Sequence, residues 1–385
     1  MNRLFLASLS LMAALAAHAN GVTDWSAIAE RVATDKRPPA SAQVILGLVH
    51  AAMHDAVAAT QGGLRPAMLA IEPAGGDADV AAAVAAHDVL TARVPAQAAA
   101  VDAELTGWMQ AQPATDATRA GEAAGHRVAS AILAQRANDG AEAKLEYQQK
   151  QLAHGVWEPT AKAPPVDYIV GRIKPLAAAD LAKYRPPEPG VRGEAYERDL
   201  AEVRLLGRKD SAARTAAQTE TAMFWSDHTT VQWSRALRGL ATERHLDTRE
   251  SARMLAMAHV AAADALIACF EAKYRHLAWR PVHAIRGTEA AWDSLLNVNH
   301  PEFPSGHSCY TGAITQALAL YFGRRDVPIT VTSTTTKTAR RYETLDQVNA
   351  DVTEARILAG LHFRQSMLAG NKLGADVAAE VAPRF

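Results

Sequence analysis

The sequence predicts an all-α fold made of helical bundles. Three observations carry this. From residue 20 to about 150 the chain is rich in alanine, the strongest intrinsic helix former, with few strand formers and little strict alternation. Apolar positions recur at helical spacing through 44–61, 77–111 and 117–137, and again in 212–225, 249–274, 308–322 and 352–360. A single stretch, 329–336, is rich in threonine and valine, which allows at most a small β-hairpin near 329–343.

Taken in order, residues 1–19 read as a secretory signal. Arg3 gives the positive start, 4–17 is apolar but for two serines, and Ala17-His18-Ala19 fits a small-x-small cleavage site. The mature chain is then expected to begin at Asn20, as a secreted or periplasmic protein. The leader's apolar run falls short of the ~20 residues that span a bilayer, and no later segment is expected to span one. Residues 20–385 read as one large helical domain. N-terminal helices occupy 20–155, with a division near Pro95. Residues 156–194 form a proline-rich connection, and 195–385 a second helical bundle. Pro159, Pro164, Pro165, Pro175, Pro186, Pro187 and Pro189 exclude a long helix in the connection. Its Trp157, Tyr168, Ile169, Val170 and Tyr184 mark it as an ordered strap laid over the surface, since a solvated linker needs no such residues.

Charge narrows the function classes. Forty Lys and Arg against 41 Asp and Glu leave a net charge of −1, so a nucleic-acid or anionic-membrane partner is not indicated and any positive patch is local. Two cysteines, Cys269 and Cys309, cannot build a disulfide framework; they read as separate buried thiols, with a single bridge left open. Neither a CxxC pair nor an HExxH zinc motif occurs.

Three segments in the last third carry chemistry. In Lys273-Tyr-Arg-His-Leu-Ala-Trp-Arg280-Pro281, two cations lie seven residues apart, two turns of one helix unless Pro281 breaks it. An arginine fork and a lysine point charge aimed together call for an anion. In His300-Pro-Glu-Phe-Pro-Ser305-Gly306-His307, a tight turn with Ser305 as cap feeds the N-terminus of the 308–322 helix, where free N–H groups favour an anion; His307 at its rim is suited to move a proton. In Arg356-Ile-Leu-Ala-Gly360-Leu-His362, the cation and the imidazole are six apart, off one helical face unless Gly360 turns the chain. His362 then serves as a nucleophile or as a metal ligand.

Together, Lys-x6-Arg-Pro, Pro-Ser-Gly-His and Arg-x5-His resemble the three-part signature of the type 2 phosphatidic acid phosphatase and vanadium haloperoxidase superfamily. Flanking text (Trp279-Arg-Pro-Val-His-Ala-Ile-Arg286, Arg214-Thr-Ala-Ala-Gln218 before Phe224-Trp225, and His50-Ala-Ala-Met-His-Asp55) is similar to the bacterial vanadium haloperoxidase-like branch. The resemblance implies that Lys273, Arg280, Ser305, the Gly306 N–H and Arg356 bind the oxygens of a vanadate or phosphate. It makes His362 the vanadium ligand or the phosphoryl acceptor, and His307 the acid–base residue. It also implies vanadate as cofactor, with hydrogen peroxide and halide as substrates. His300, with Phe270 beside it, is the halide-site candidate, and histidine there points to bromide.

Two departures stand out. Where the phosphatase pattern His-x3-Asp has an acid to orient the histidine, this chain has Ser366, and the serine before the signature arginine is Ala355. A hydroxyl cannot stabilise an imidazolium as a carboxylate does. Asp227 and Asp55 are the candidate counter-charges for the cations, while His50 and His54 read as helix-packing residues and Trp279 as a packing residue. The alternatives to a haloperoxidase are an exported acid phosphatase that hydrolyses small phosphomonoesters through a phosphohistidine at His362, and a non-catalytic oxyanion-binding protein.

Overall fold

The computed structural model describes residues 20–385; the leader expected at 1–19 lies outside the described residues. The fold is all-α. The first bundle contains α1 (Gly21–Thr34), α2 (Pro39–Thr60), α3 (Ala78–Arg93), α4 (Ala98–Gln110) and α5 (Asp116–Gln135). After a long irregular crossing come α6 (Glu194–Leu206), α7 (Ala216–Phe224), α8 (Thr229–Glu243), α9 (Thr248–His276), α10 (Pro281–Arg286) and α11 (Gly306–Phe322). The antiparallel pair β1 (Ile329–Ser333) and β2 (Thr338–Tyr342) follows, in register Val331 to Arg340, before α12 (Leu345–Leu358) and α13 (Arg364–Val381). Capping boxes set several starts: Asn20 with Thr23 for α1, Thr215 with Gln218 for α7, Asp247 with Glu250 for α9, and Thr344 with Gln347 for α12.

Helices α2 and α9 form the spine, packed against each other and buried over most of their length. A side chain at Gly47 would meet the Ala263 methyl at 2.7 Å, so the two backbones approach as closely as small residues permit. Against the expectation of no further apolar span, both helices are long and apolar enough to cross a membrane. Their alanine-rich windows are instead 94% buried within the fold. The spine also carries a polar pair: His50 stacks on His259 at 3.9 Å, with its ring nitrogens on Leu46 O and Ser26 Oγ. Burial holds the His50 imidazole down to about 3, so it is neutral in the core.

Helix α13 lies along α11, and glycines make the contact. A Cβ on Gly374 would fall 2.1 Å from Cys309 O, one on Gly312 2.4 Å from Asn371 O, and one on Gly370 2.7 Å from Ser305 O. The last pair locks the start of α11 in place.

The proline-rich connection is ordered, but it is built into the molecule and not only laid over it: Trp157 and Val170 have no exposed surface. Because its prolines rule out regular structure, its remaining backbone N–H groups find partners in the bundles, and its own side chains serve bundle N–H groups in return. Asp264 of α9 accepts from the N–H groups of Leu176, Ala177 and Ala178 at 2.6–2.9 Å. Asp167 of the connection accepts from the Ala40 and Ser41 N–H groups at the start of α2. Main-chain bonds Trp157 N to Leu277 O and Val166 N to Asn299 O tie it to two of the three signature segments.

Two measurements test this packing. Gly374→Ala is expected to destabilise by about 1–3 kcal/mol in thermal or urea unfolding, through overpacking against Cys309 O. Gly239→Ala, on an open face of α8, is expected to be neutral or stabilising by up to ~1 kcal/mol. For pH, unfolding frees His50 to protonate near its ordinary 6.5, while the folded state resists to about 3. Stability is therefore lost as pH falls below 6.5, by ~2 kcal/mol for this one group at pH 5. The urea midpoint should drop between pH 7.5 and 5, and His50→Gln should flatten that slope.

Candidate functional site: a buried cationic cage

The three signature segments converge on one cavity of about 530 Å³. Phe270, His300, Gly306, His307, Arg356 and His362 line it, together with Pro39 and Ala40 of α2, Val166 and Asp167 of the connection, Asp227 and His228 before α8, and Thr229 at its first position. Lys273, Arg280 and Ser305 lie behind this lining, at 0%, 2% and 0% exposure.

Lys273 and Arg280 are not two turns of one helix. Helix α9 ends at His276 because Leu277 takes a left-handed conformation (φ 52°), and Arg280 precedes Pro281, the first residue of α10. The turn still brings both cations onto the same loop. Lys273 Nζ donates to Pro301 O and Glu302 O, each at 3.0 Å. Arg280 donates to His300 O at 2.7 Å, to Leu361 O at 2.8 Å and to Pro301 O at 3.3 Å, with Nη2 also 3.1 Å from His300 Nδ1. The two residues thereby bind the second segment to the third.

Arg356 sits in the last turn of α12 and donates to Trp225 O at 2.8 Å, while its buried Nε has no partner among the described residues. Gly360 turns the chain with φ 74°, in a space where a Cβ would meet Gly207 O at 2.4 Å. That turn brings His362 to the cavity wall ahead of α13. Ser305 occupies the N-cap position of α11, yet its side chain makes no capping bond, and its buried Oγ has no partner among the described residues.

Burial dominates the electrostatics. It holds Lys273 down to about 8, Arg280 to about 10 and Arg356 to about 9, and pushes the imidazoles of His300, His307 and His362 well below their ordinary range. Three desolvated cations, a guanidinium nitrogen and a hydroxyl without partners among the described residues make a cage whose chemistry suits an anion with several oxygen acceptors.

Neither carboxylate proposed from the sequence as counter-charge fills that role. Asp55 accepts from the N–H groups of Ala67, Met68 and Leu69, fixing the loop after α2. Asp227 lines the cavity, but its carboxylate holds the Thr334 and His228 N–H groups. Glu302, inside the second segment, is the carboxylate at the cage. It is 2% exposed, its Oε1 lies 2.8 Å from His362 Nδ1, and the same oxygen accepts from Phe363 N at 3.1 Å. Burial raises the Glu302 carboxyl to about 7, against the pull of Lys273 and Arg280. Ser366 Oγ is 3.5 Å from the same imidazole nitrogen. The sequence signal was present, an acid in a proline-rich apolar turn, but nothing in the spacing linked residue 302 to residue 362. Thr229, missed for the same reason, hydrogen-bonds His307 Nε2 at 2.8 Å.

His300 stands beside Phe270, ring centroids 5.5 Å apart. His50 and His54 lie in the helical core with no part in the cavity lining, and Trp279 packs on His154 at 4.5 Å. Cys269 and Cys309 are both buried free thiols.

A tetrahedral oxyanion bound here should stabilise the fold by mass action, about 2.7 kcal/mol at a hundred times its Kd. Orthophosphate is expected to raise Tm in the unmodified protein. In Lys273→Met and Arg356→Met the rise should vanish, even where the starting Tm is unchanged or higher; an undiminished rise would place the anion elsewhere.

No curated protein sequence matches the chain. Residues 253–385 match the family described as the VCPO second helical-bundle domain. Among solved structures, a bacterial vanadium-dependent iodoperoxidase superposes with a TM-score of 0.82 at 21% identity, over 96% of this chain and 98% of that one. A holo-type bacterial vanadium-dependent chloroperoxidase gives 0.74 at 16% identity, over 95% and 97%. An apo-type bacterial chloroperoxidase gives 0.72 at 17%, over 91% and 94%. Along its length the chain shares the fold of these bacterial vanadium-dependent haloperoxidases, and its residues 253–385 resemble the second helical-bundle domain of that family model.

Proposed function

We propose that this protein is a vanadium-dependent haloperoxidase that oxidises halide, with bromide as the preferred ion, using hydrogen peroxide. The observation that carries the reading is the cage itself: Lys273, Arg280 and Arg356 buried around an unpaired Ser305 hydroxyl, with His362 beside them. These residues fit vanadate. The cations, Ser305 Oγ and the Gly306 N–H would hold its oxygens, and His362 Nε2, which has no hydrogen-bond partner among the described residues, would supply the nitrogen ligand. When bound, vanadate activates hydrogen peroxide toward attack by halide, so that halide, peroxide and a proton become hypohalous acid and water.

The chain's own residues do the rest. Lys273, Arg280 and Arg356 neutralise the oxyanion's charge from preorganised positions. Neutral His307, held by Thr229 on one nitrogen, moves a proton at its imidazole as peroxide enters and water leaves. His300 and Phe270 form the wall against which halide would sit. Iodoperoxidase and chloroperoxidase activities belong to the similar structures, so the halide rests on His300 alone. Export, which residues 1–19 predict, would place the reaction outside the cytoplasm.

One observation favours a second reading. Glu302 gives His362 the carboxylate partner that Ser366 fails to provide, and such a partner also suits a phosphohistidine. The same cage would then bind a small phosphomonoester.

The deciding assay is bromide oxidation by hydrogen peroxide in phosphate-free buffer, with and without orthovanadate, beside iodide oxidation and p-nitrophenyl phosphate hydrolysis. Bromide turnover is expected only with vanadate and should disappear in His362→Ala. His307→Ala should keep vanadate binding and lose about 10²–10⁴ in rate. Phosphate release without any halide oxidation would replace this reading with the phosphatase.

A further inference from the structure

We infer that Glu302 is a positioning residue for His362, fixing the imidazole's tautomer and direction from the loop ahead of α11 and so replacing the acid that the His-x3-Asp pattern keeps four residues after the histidine. This rests on the proposed role of His362 as the residue bonded to the oxyanion.

The geometry is specific. Glu302 Oε1 lies 2.8 Å from His362 Nδ1 and accepts from the Phe363 N–H at 3.1 Å, so the carboxyl group is registered against both the ring and the backbone that carries it. Because Oε1 already accepts from the Phe363 N–H, it is placed as an acceptor toward the ring as well and selects the tautomer with hydrogen on Nδ1. The Nε2 lone pair is then free on the cavity side, as a ligand or nucleophile requires. The loop is held in turn, since Lys273 Nζ donates to the Glu302 carbonyl at 3.0 Å. One cage cation therefore sets the residue that aims the histidine.

Residue 366 is where the other arrangement would place the acid. Ser366 Oγ lies 3.5 Å from His362 Nδ1 and the same distance from Glu302 O, so it approaches the ring without matching the 2.8 Å carboxylate contact. A carboxylate at 366 would contest the space that Glu302 fills. In this chain the role has passed from the helix after the histidine to the loop opposite it.

The experiment uses the full chain with His362 observed by ¹⁵N–¹H correlation, and orthovanadate alone as probe in equilibrium dialysis. The unmodified protein is expected to show the Nδ1–H tautomer. Glu302→Ala should shift the ring toward Nε2–H and weaken vanadate binding by about 10–100-fold. Ser366→Asp added to Glu302→Ala should restore the tautomer and most of the affinity, a rescue that a merely structural Glu302 would not permit. Should Glu302→Ala fail to fold, Glu302→Gln keeps the volume and the acceptor; it should retain the tautomer yet bind vanadate about tenfold more weakly. The inference is overturned if Glu302→Ala, or Glu302→Gln in its place, keeps both the original tautomer and an affinity within twofold. The tautomer is read without turnover, so the inference can fail while the haloperoxidase reading stands, and the reverse.

Discussion

Lys273, Arg280 and Arg356 are buried to 0%, 2% and 3% exposure around one cavity, and much of the structure near them answers the cost of that burial. Cations taken out of water must find oxygen. Here five main-chain carbonyls supply it: those of Trp225, His300, Pro301, Glu302 and Leu361. Carbonyls offer partial charge; the Glu302 carboxyl group beside the cations faces His362, and Asp167 and Asp227 on the cavity wall hold backbone N–H groups. The positive field that remains is what a multivalent oxyanion would neutralise, and it exists because the fold spends dipoles, not counter-ions, on its cations.

Carbonyls at fixed positions require a rigid backbone, and two devices provide it. The glycines of α11 and α13 let those helices approach until a methyl group would not fit, which holds the Ser305–Gly306 turn from below. The proline-rich connection pins the other side, bonded to Leu277 O behind the first segment and to Asn299 O beside the second. Its lack of regular structure follows from its prolines, but Asp264 and its own Asp167 give it fixed hydrogen bonds. It therefore behaves as a wall of the cavity, to which Val166 and Asp167 contribute.

The relation between Glu302 and Ser366 shows how a role can move while its chemistry stays. The histidine needs an acceptor on Nδ1, and that need is met by any carboxylate placed within hydrogen-bonding reach. A helix residue one turn on is one solution, and a loop residue 60 positions earlier is another. The serine departure looked like a loss only while the sequence was considered one segment at a time.

The all-α class, the small hairpin and the three signature segments were legible in the sequence because each depends on local pattern: alanine content, helical spacing, a threonine- and valine-rich run, and short motifs with fixed internal spacing. The Gly360 turn was legible too, since it compensates a six-residue separation that a helix cannot reconcile. What tertiary structure alone decided is of another kind. Leu277, a residue with no turn preference, takes a left-handed conformation where its carbonyl accepts from Trp157 N and the N–H of Trp279, two residues on, donates to Gly155 O. Ser305 looked like a helix cap, but its hydroxyl is left free in the cage. Asp55 and Asp227 were plausible counter-charges that the fold uses for backbone N–H groups. Glu302 meets His362 across 60 residues. Local preferences encode which residue types a segment carries and how it bends, whereas the partners of a buried polar atom are set by which distant segments pack against it.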